Sequence, residues 1–297
     1  MKKTMSLGRN GWLSLLLLLG CLPAFAQTEV NLNPMHKVAV RELSYTPKVK
    51  KETVSSILNT LTKAAVTGES SEQQDAYVDA VRAAIVGGLS RVRRFQVIEG
   101  GFVEGEIADD EEAFYLDGTI ASISTVQKTV VPEDKKLKSY NEYRGQVSAT
   151  LMLKDIHTDA VVVTGNFNVS GSDCSWLKDA DGALNEAIQV LTRRVARHFN
   201  LRFPLRAEIV ERGEVKKEKQ KEVFLNIGSA AGAYEDQRYA VQVVSTIAGK
   251  EAAHEIGSLR ISEVMGDDIS RCRIVSGSKE IKLALDEGKT LRAVSTE

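Results

Sequence analysis

The sequence has few of the residues from which metal centres are built. It contains three cysteines and four histidines in 297 residues. His36, His157, His198 and His254 are widely separated, and neither an HExxH nor a CxxC motif is present. A metal site needs ligands that converge on one point. We therefore predict no metal site and no cofactor.

Motifs of nucleophilic and phosphate chemistry are also missing. There is no GxSxG sequence, and Gly288-Lys289-Thr290 lacks the upstream glycine of a phosphate-binding loop, since Leu283 stands there. The acidic run at 108–112 lacks the spacing of a calcium loop. We predict no catalytic residues and a protein that is not an enzyme. The alternative, a periplasmic hydrolase, would need acid, base or nucleophile side chains clustered in one pocket.

Charge of one sign is not in excess either. The formal net charge is −1, so the chain has no overall field to hold nucleic acid. Arg91, Arg93 and Arg94 crowd in front of the apolar run 95–98. The pattern places them in the last turn of a helix, where cations complement the helix dipole. We favour that role over a phosphate or nucleic-acid site.

A long apolar run occurs only at the start of the chain. The run Trp12–Leu22 follows three basic residues and is too short to span a bilayer. With the small residues Ala24 and Ala26 it is typical of a signal peptide over 1–26, cleaved after Ala26. The alternative is a lipobox ending at Cys21, which would be lipidated. Either reading predicts an exported protein, periplasmic or associated with the outer membrane, whose membrane contact is limited to a lipid anchor.

The two remaining cysteines are Cys174 and Cys272. An oxidising compartment permits a disulfide between them, but spacing in sequence does not give the distance that such a bond requires. Two independent buried thiols are favoured, and the Cys174–Cys272 bond stays open as the alternative.

Trp176 is the only tryptophan after the signal-like segment. It lies in the polar stretch 171–182, between a predicted strand and a predicted helix. It is a candidate interaction anchor, because tryptophan is enriched at the centres of protein interfaces. The alternative is a residue that packs the loop against the core.

Hydrophobic periodicity predicts two domains, an α/β domain over 34–204 and a small β-rich domain over 205–297. The first contains helices over 53–66, 75–92 and 184–199, and strands over 37–43, 95–98, 114–124, 145–155 and 160–169. A charged loop is expected over 130–142. The second contains short strands over 207–215, 222–229, 239–245, 255–264, 270–277 and 290–294, with an exposed hairpin at 216–221.

The order of these segments resembles the CsgG family of curli assembly proteins, which shares its fold with LpoB. The residues that carry the resemblance are Ser90, Arg94, Phe95, Val97, Ile98 and Glu99, then Leu116, Gly118 and Ile120, then Leu151, Leu153, Asp155, Thr158 and Val161. The segment 208–294 is similar to the C-terminal domain of FlgT-like flagellar proteins, through Val223, Asn226, Gly228, Ser229, Gly232 and Val241.

The resemblance implies an α+β fold, in which a CsgG-like sandwich of a mixed sheet with packed helices precedes a small all-β, barrel-like domain. It also implies a non-enzymatic scaffold for envelope assembly or secretion that acts through protein–protein contacts. The expected partners are other envelope proteins and further copies of the chain, with no nucleic acid and no small-molecule substrate. The alternatives are a subunit of an outer-membrane secretion channel and an activator of a penicillin-binding protein.

Members of the CsgG family insert two hairpins into the outer membrane, at positions equivalent to 126–143 and 171–182. The first segment carries charges in its middle, and the second is too short for two crossings. We therefore expect this chain to lack both hairpins.

Overall fold

The computed structural model describes residues 32–41, 43–46, 70–103, 107–108, 111–134 and 136–297. Residues 32–297 form one compact unit. The predicted signal peptide with its cleavage site after Ala26, the candidate lipidation site Cys21 and the predicted helix 53–66 lie outside the described residues. None of the described helices is long and apolar enough to cross a membrane.

The first part of the chain forms a six-stranded mixed sheet. Its strands are β1 (His36–Val40), β2 (Ser44–Tyr45), β3 (Phe95–Glu99), β4 (Ala113–Val130), β5 (Tyr140–Asp155) and β6 (Val161–Val169). The order is β3-β1-β4-β5-β6, with β2 beside β4. Strand β1 runs parallel to β3 and β4, whereas β4, β5 and β6 form an antiparallel meander.

Two helices, α1 (Ser70–Leu89) and α2 (Ala180–Arg202), pack against this sheet and against each other. The apolar residues that recur at helical spacing are buried, as the periodicity predicts. They include Val81 and Ile85 of α1 and Val195 and Phe199 of α2. These side chains join the alternate inward-facing residues of β5 in one core.

The end of α1 differs from the prediction. The helix ends at Leu89, and its last turn contains no basic residue. The backbone N–H of Val92 donates to the carbonyl oxygen of Leu89 at 2.8 Å, a tight turn that directs the chain into β3. Arg94 is only 7% exposed and donates to the carbonyl oxygen of Pro34. The predicted role in the helix dipole is therefore wrong, because the cations lie beyond the helix and one is buried.

Two adjacent glycines of α1 should respond to alanine with opposite signs. A Cβ at Gly87 would meet nothing within 4 Å, whereas one at Gly88 would lie 2.9 Å from the carbonyl oxygen of Thr192 and from Val195 of α2. Gly87→Ala should raise the free energy of unfolding by about 0.5–1 kcal/mol through helix propensity. Gly88→Ala should lower it by about 1 kcal/mol or more, because the overlap outweighs that gain. Urea denaturation of both variants tests this, and equal shifts would contradict the packing described.

The second part of the chain forms a closed barrel of six strands. They are β7 (Arg206–Arg212), β10 (Glu222–Leu225), β11 (Arg238–Ile247), β12 (Lys250–Val264), β13 (Ser270–Ser276) and β14 (Leu291–Ser295), in the order β10-β13-β12-β11-β14-β7. A separate two-stranded ribbon, β8 (Val215–Lys216) and β9 (Lys219–Gln220), forms the predicted exposed hairpin.

The sequence predicted an all-β domain here, but the barrel also contains a helix. Helix α3 (Ser278–Asp286) follows β13, and its Ile281 and Ala284 are buried in the barrel core. A mixed sheet with packed helices, followed by a small barrel, is confirmed at this level of description. The limits proposed for the two domains, 34–204 and 205–297, stay a prediction.

Candidate interaction surface

The central hairpin of the sheet extends far beyond the core. Strands β4 and β5 stay paired from Phe114↔Asp155 to Val130↔Tyr140, and burial ends near Ile123 on β4. We call the outer part, residues 125–145, the hairpin arm. The loop predicted over 130–142 is wrong in its limits, because strand pairing leaves only residues 131–139 as the connection. A paired hairpin is present at 126–143, and the expected absence of a membrane-inserting hairpin there stays a prediction.

The segment after β6 lies alongside the arm. The backbone N–H of Tyr143 donates to the carbonyl oxygen of Leu177 at 2.6 Å, and the N–H of Leu177 donates back to Tyr143 at 2.9 Å. Leu177 thus forms an isolated antiparallel bridge with β5, on the edge of Tyr143 that does not pair with β4. The segment 171–182 contains a short 3-10 turn (Gly171–Asp173) and the start of α2.

Trp176 is held by two cations of the arm. Lys128 Nζ lies 4.2 Å from the centre of the indole ring, and the guanidinium carbon of Arg144 lies 4.4 Å from it. Lys128 also pairs with Glu142 across the hairpin at 2.9 Å. Contacts of a cation with an indole ring contribute about 0.5–2 kcal/mol each, depending on solvation. Trp176 is partly buried, so it packs against the arm while part of its ring stays accessible.

Helix α2 fixes the segment that carries Trp176. Arg194 of α2 donates to Asp173 at 2.6 Å, and Ser170 also donates to this carboxylate. Hydrogen bonds from Ser170 and Arg194 hold the pKa of Asp173 below its ordinary value. Glu186 of α2 accepts hydrogen bonds from the backbone N–H and the hydroxyl of Ser175, each at 3.0 Å. The residues just before Trp176, the candidate anchor, are therefore fixed by hydrogen bonds to α2.

The outer end of the arm exposes large apolar side chains. Val131 is 78% and Leu137 is 62% exposed, and Tyr140 is exposed beneath the ammonium group of Lys178, which lies 4.9 Å from its ring centre. Aromatic residues and arginine are enriched at protein interfaces, whereas lysine, which is frequent at this end of the arm, is depleted there. The large apolar side chains exposed at this end are Val131, Leu137 and Tyr140, and the partly buried Trp176 lies beside the arm.

The cysteines do not meet. Cys174 is buried in the core of the sheet and helices, and Cys272 is buried in the barrel core. Both are free thiols, so no disulfide joins them. Burial raises the pKa of Cys174, and it raises the pKa of Cys272 to about 12. Neither thiol has the environment of a nucleophile, which needs a lowered pKa.

The histidines are dispersed as well. His36 is 2% exposed and packs against Phe114 and Phe203, and Arg94 lies 2.8 Å from its Nε2. Within the ranges that the structure describes, no three His, Cys, Asp or Glu side chains converge as they would around a metal ion.

Sequence reasoning named Trp176 but missed the groups that hold it. Lys128 and Arg144 lie two residues before and two residues after the charged loop predicted over 130–142, where no strand was predicted. Val126 and Val130 flank Lys128 at the two-residue spacing of one strand face. A register shift between Ile120 and Ser122 puts them out of phase with the buried residues before it, so the signal was weak.

No family model matches the chain, and no curated protein matches it. Three solved structures are distantly similar. A homologue of the neuraminyllactose-binding hemagglutinin from Helicobacter pylori is 15% identical, with a TM-score of 0.29, over 57% of this chain and 86% of that one. The PelC dodecamer from Paraburkholderia phytofirmans is 15% identical, with a TM-score of 0.26, over 54% and 86%. A DUF330 protein from Xanthomonas campestris is 10% identical, with a TM-score of 0.29, over 57% and 82%. At this distance they identify neither a family nor a function.

Proposed function

We propose that this chain is a non-enzymatic scaffold of the bacterial cell envelope, which serves assembly or secretion through protein–protein contacts of its hairpin arm. The observation that carries the proposal is the arm itself. It extends beyond the core and bears exposed apolar residues at its end. Its Lys128 and Arg144 contact the ring of Trp176.

The proposal includes a CsgG-like fold for the sheet and its helices, with a FlgT-like barrel after it. It is supported by the order of elements, in which a first strand, a helix, the Arg94-Phe95 segment, and the long β4–β5–β6 meander follow one another. The signal-like start of the sequence supports location in the periplasm or at the outer membrane. The partner is another envelope protein or a further copy of the chain.

Site-specific photo-crosslinking in living cells tests the role of the arm. A photoreactive phenylalanine analogue is placed at Leu137 of the arm or, as the control, at Val210 of the barrel, which has a similar exposed fraction of 54%. We expect a discrete adduct from position 137, identified by mass spectrometry as one envelope protein or a second copy of the chain. Equal adducts from both positions, or none from position 137, would contradict the proposal.

Trp176→Ala should weaken binding of the partner identified in that way by about thirtyfold, because truncation of a tryptophan anchor costs about 2 kcal/mol or more. Trp176→Phe should lose less, since a ring still lies between Lys128 and Arg144. Surface plasmon resonance gives both dissociation constants, and far-ultraviolet circular dichroism checks that each variant is folded. An unchanged affinity in folded Trp176→Ala would exclude Trp176 as an anchor.

A further inference from the structure

The ribbon β8–β9, which connects β7 to β10 of the barrel, is rich in lysine. Lys216 and Lys219 are direct partners across the two strands. They are joined by a two-residue turn, Lys217 and Glu218, in which both residues have positive φ angles, 49° and 60°. Such a turn favours glycine and asparagine, which tolerate the left-handed region. Like charges directly opposite each other on a ribbon are also unfavourable.

The ribbon is nevertheless firmly attached. Gln220 is fully buried, and its Nε2 donates to the carbonyl oxygens of Gly213 and Glu222 at 3.2 and 2.7 Å. The backbone N–H of Lys221 donates to the carbonyl oxygen of Glu214, and the N–H of Ile274 on β13 donates to the carbonyl oxygen of Lys221. The lysines are therefore displayed on an ordered base. The opposed lysines and the positive φ angles of the turn are both unfavourable, yet the rest of the barrel keeps them in place. Such locally unfavourable structure is expected where a function requires it.

The same residues line a cleft of about 540 Å³. Five cations and two carboxylates surround it, namely Lys216, Lys217, Lys219, Lys221 and Arg273 with Glu214 and Glu222. None of the five cations has an ion-pair partner among the described residues. Other cations of the barrel do, such as Arg212 with Asp286 and Arg260 with Asp236. The cleft thus holds an excess of positive charge that the protein itself does not neutralise.

The two carboxylates restrict what the cleft can accept. Ionised carboxylates only accept hydrogen bonds, so Glu214 and Glu222 call for donors, and they repel a ligand that is charged along its whole length. The lining contains no aromatic ring on which a base could stack. A sugar acid supplies both the negative charge and the hydrogen-bond donors, because its carboxylates can pair with the lysines and its hydroxyl groups can donate to the glutamates. A volume of this size is also within the range of small-ligand sites.

We propose that this cleft binds an acidic glycan, a sugar chain that carries carboxylate groups among free hydroxyls. The site is distinct from the hairpin arm, and it does not depend on the function proposed for the arm. The lysines form ion pairs with the carboxylates of the glycan, and Glu214 and Glu222 accept hydrogen bonds from its hydroxyl groups.

Isothermal titration calorimetry of the purified chain with four probes tests the proposal. The probes are tri-galacturonic acid, which has carboxylates and hydroxyls, maltotriose, which has hydroxyls alone, a capped triglutamate peptide, which has carboxylates alone, and tripolyphosphate. We expect tri-galacturonic acid to bind at least tenfold more tightly than each of the other three. Its affinity should fall as salt is raised, because exposed charges are screened.

The double variant K216Q/K219Q should weaken this binding at least tenfold. The control K250Q/K289Q changes net charge equally on the same barrel, away from the lining of the cleft, and should change binding by less than twofold. K216Q/K219Q should melt no lower than the wild type, because it removes a repulsion. Equal affinity for triglutamate, preference for tripolyphosphate, no binding of tri-galacturonic acid, or equal losses in the two double variants would each overturn the proposal.

Discussion

Gly145→Ala is expected to lower the free energy of unfolding by about 3 kcal/mol, the upper part of the range for added volume in a packed site. A Cβ at this position would lie 2.2 Å from the carbonyl oxygen of Ala183 and 2.7 Å from the Cβ of Ala187. Both belong to α2, whose start is capped by Asp179 through a 2.6 Å hydrogen bond from the N–H of Gly182. The helix cannot withdraw without losing its packing on the sheet and the hydrogen bonds of Glu186 to Ser175 and of Arg194 to Asp173. Urea denaturation followed by circular dichroism measures the loss.

Gly171→Ala is the matched control. The nearest atom to a Cβ at Gly171 is the Cβ of Arg144 at 3.6 Å, which is ordinary van der Waals contact. Its free energy of unfolding should stay within about 0.5 kcal/mol of the wild type. If the two variants were equally stable, the close approach of α2 to the base of the hairpin arm would be wrong. Gly145→Ala should also reduce partner binding, because the arm is displaced from the segment that carries Trp176.

Lowering the pH from about 7.5 to 5.5 should destabilise the protein through His36, which is buried, and His198, which is partly buried. Burial, followed by the charge of Arg94, lowers the pKa of His36, although the carboxylate of Glu112, 3.1 Å from Nδ1, opposes this. Burial and the charge of Arg202 lower the pKa of His198. In the unfolded chain both return to about 6.5, so below that pH the unfolded state binds protons that the native state does not. The free energy of unfolding therefore falls with pH, by up to about 1.4 kcal/mol per pH unit for each histidine.

His36→Gln should reduce this dependence to the part that His198 causes, since glutamine can still accept a hydrogen bond from Arg94 but does not titrate. His254→Gln is the control, because His254 is exposed on β12, and it should leave the slope unchanged. Denaturant titrations at pH 7.5, 6.5 and 5.5 give the three slopes. A His36→Gln variant as pH-sensitive as the wild type would show that His36 is not kept neutral in the native state.

Regular periodicity carried most of the prediction of the fold. The six strands of the barrel and the helices near 75–92 and 184–199 were predicted because their buried residues recur every two, or every three to four, positions. Helix α3 was missed because it has nine residues and buries little more than Ile281 and Ala284. So short an apolar stripe does not stand out beside the strands on either side.

The candidate sites were predicted less well, for a physical reason. The surroundings of Trp176 are made by residues from β4 and β5, so they follow from strand register, which sequence spacing does not give. Arg94 was predicted to lie in the last turn of a helix, whereas it is buried beside His36 of β1, almost sixty positions earlier. The lysine ribbon read as an ordinary exposed hairpin. Only the register that sets Lys216 against Lys219, and Arg273 beside Glu222, shows how its charges converge.

The barrel closes by inserting its last strand between two earlier ones. Strand β14 pairs with β7 on one side and with β11 on the other. Before residues 291–295 arrive, both neighbours have an unpaired edge, and such edges are templates for pairing with other chains. Folding of the barrel is thus completed by five residues near its end. A variant truncated before Leu291 should be prone to aggregation, because the edges of β7 and β11 that pair with β14 would be left without partners.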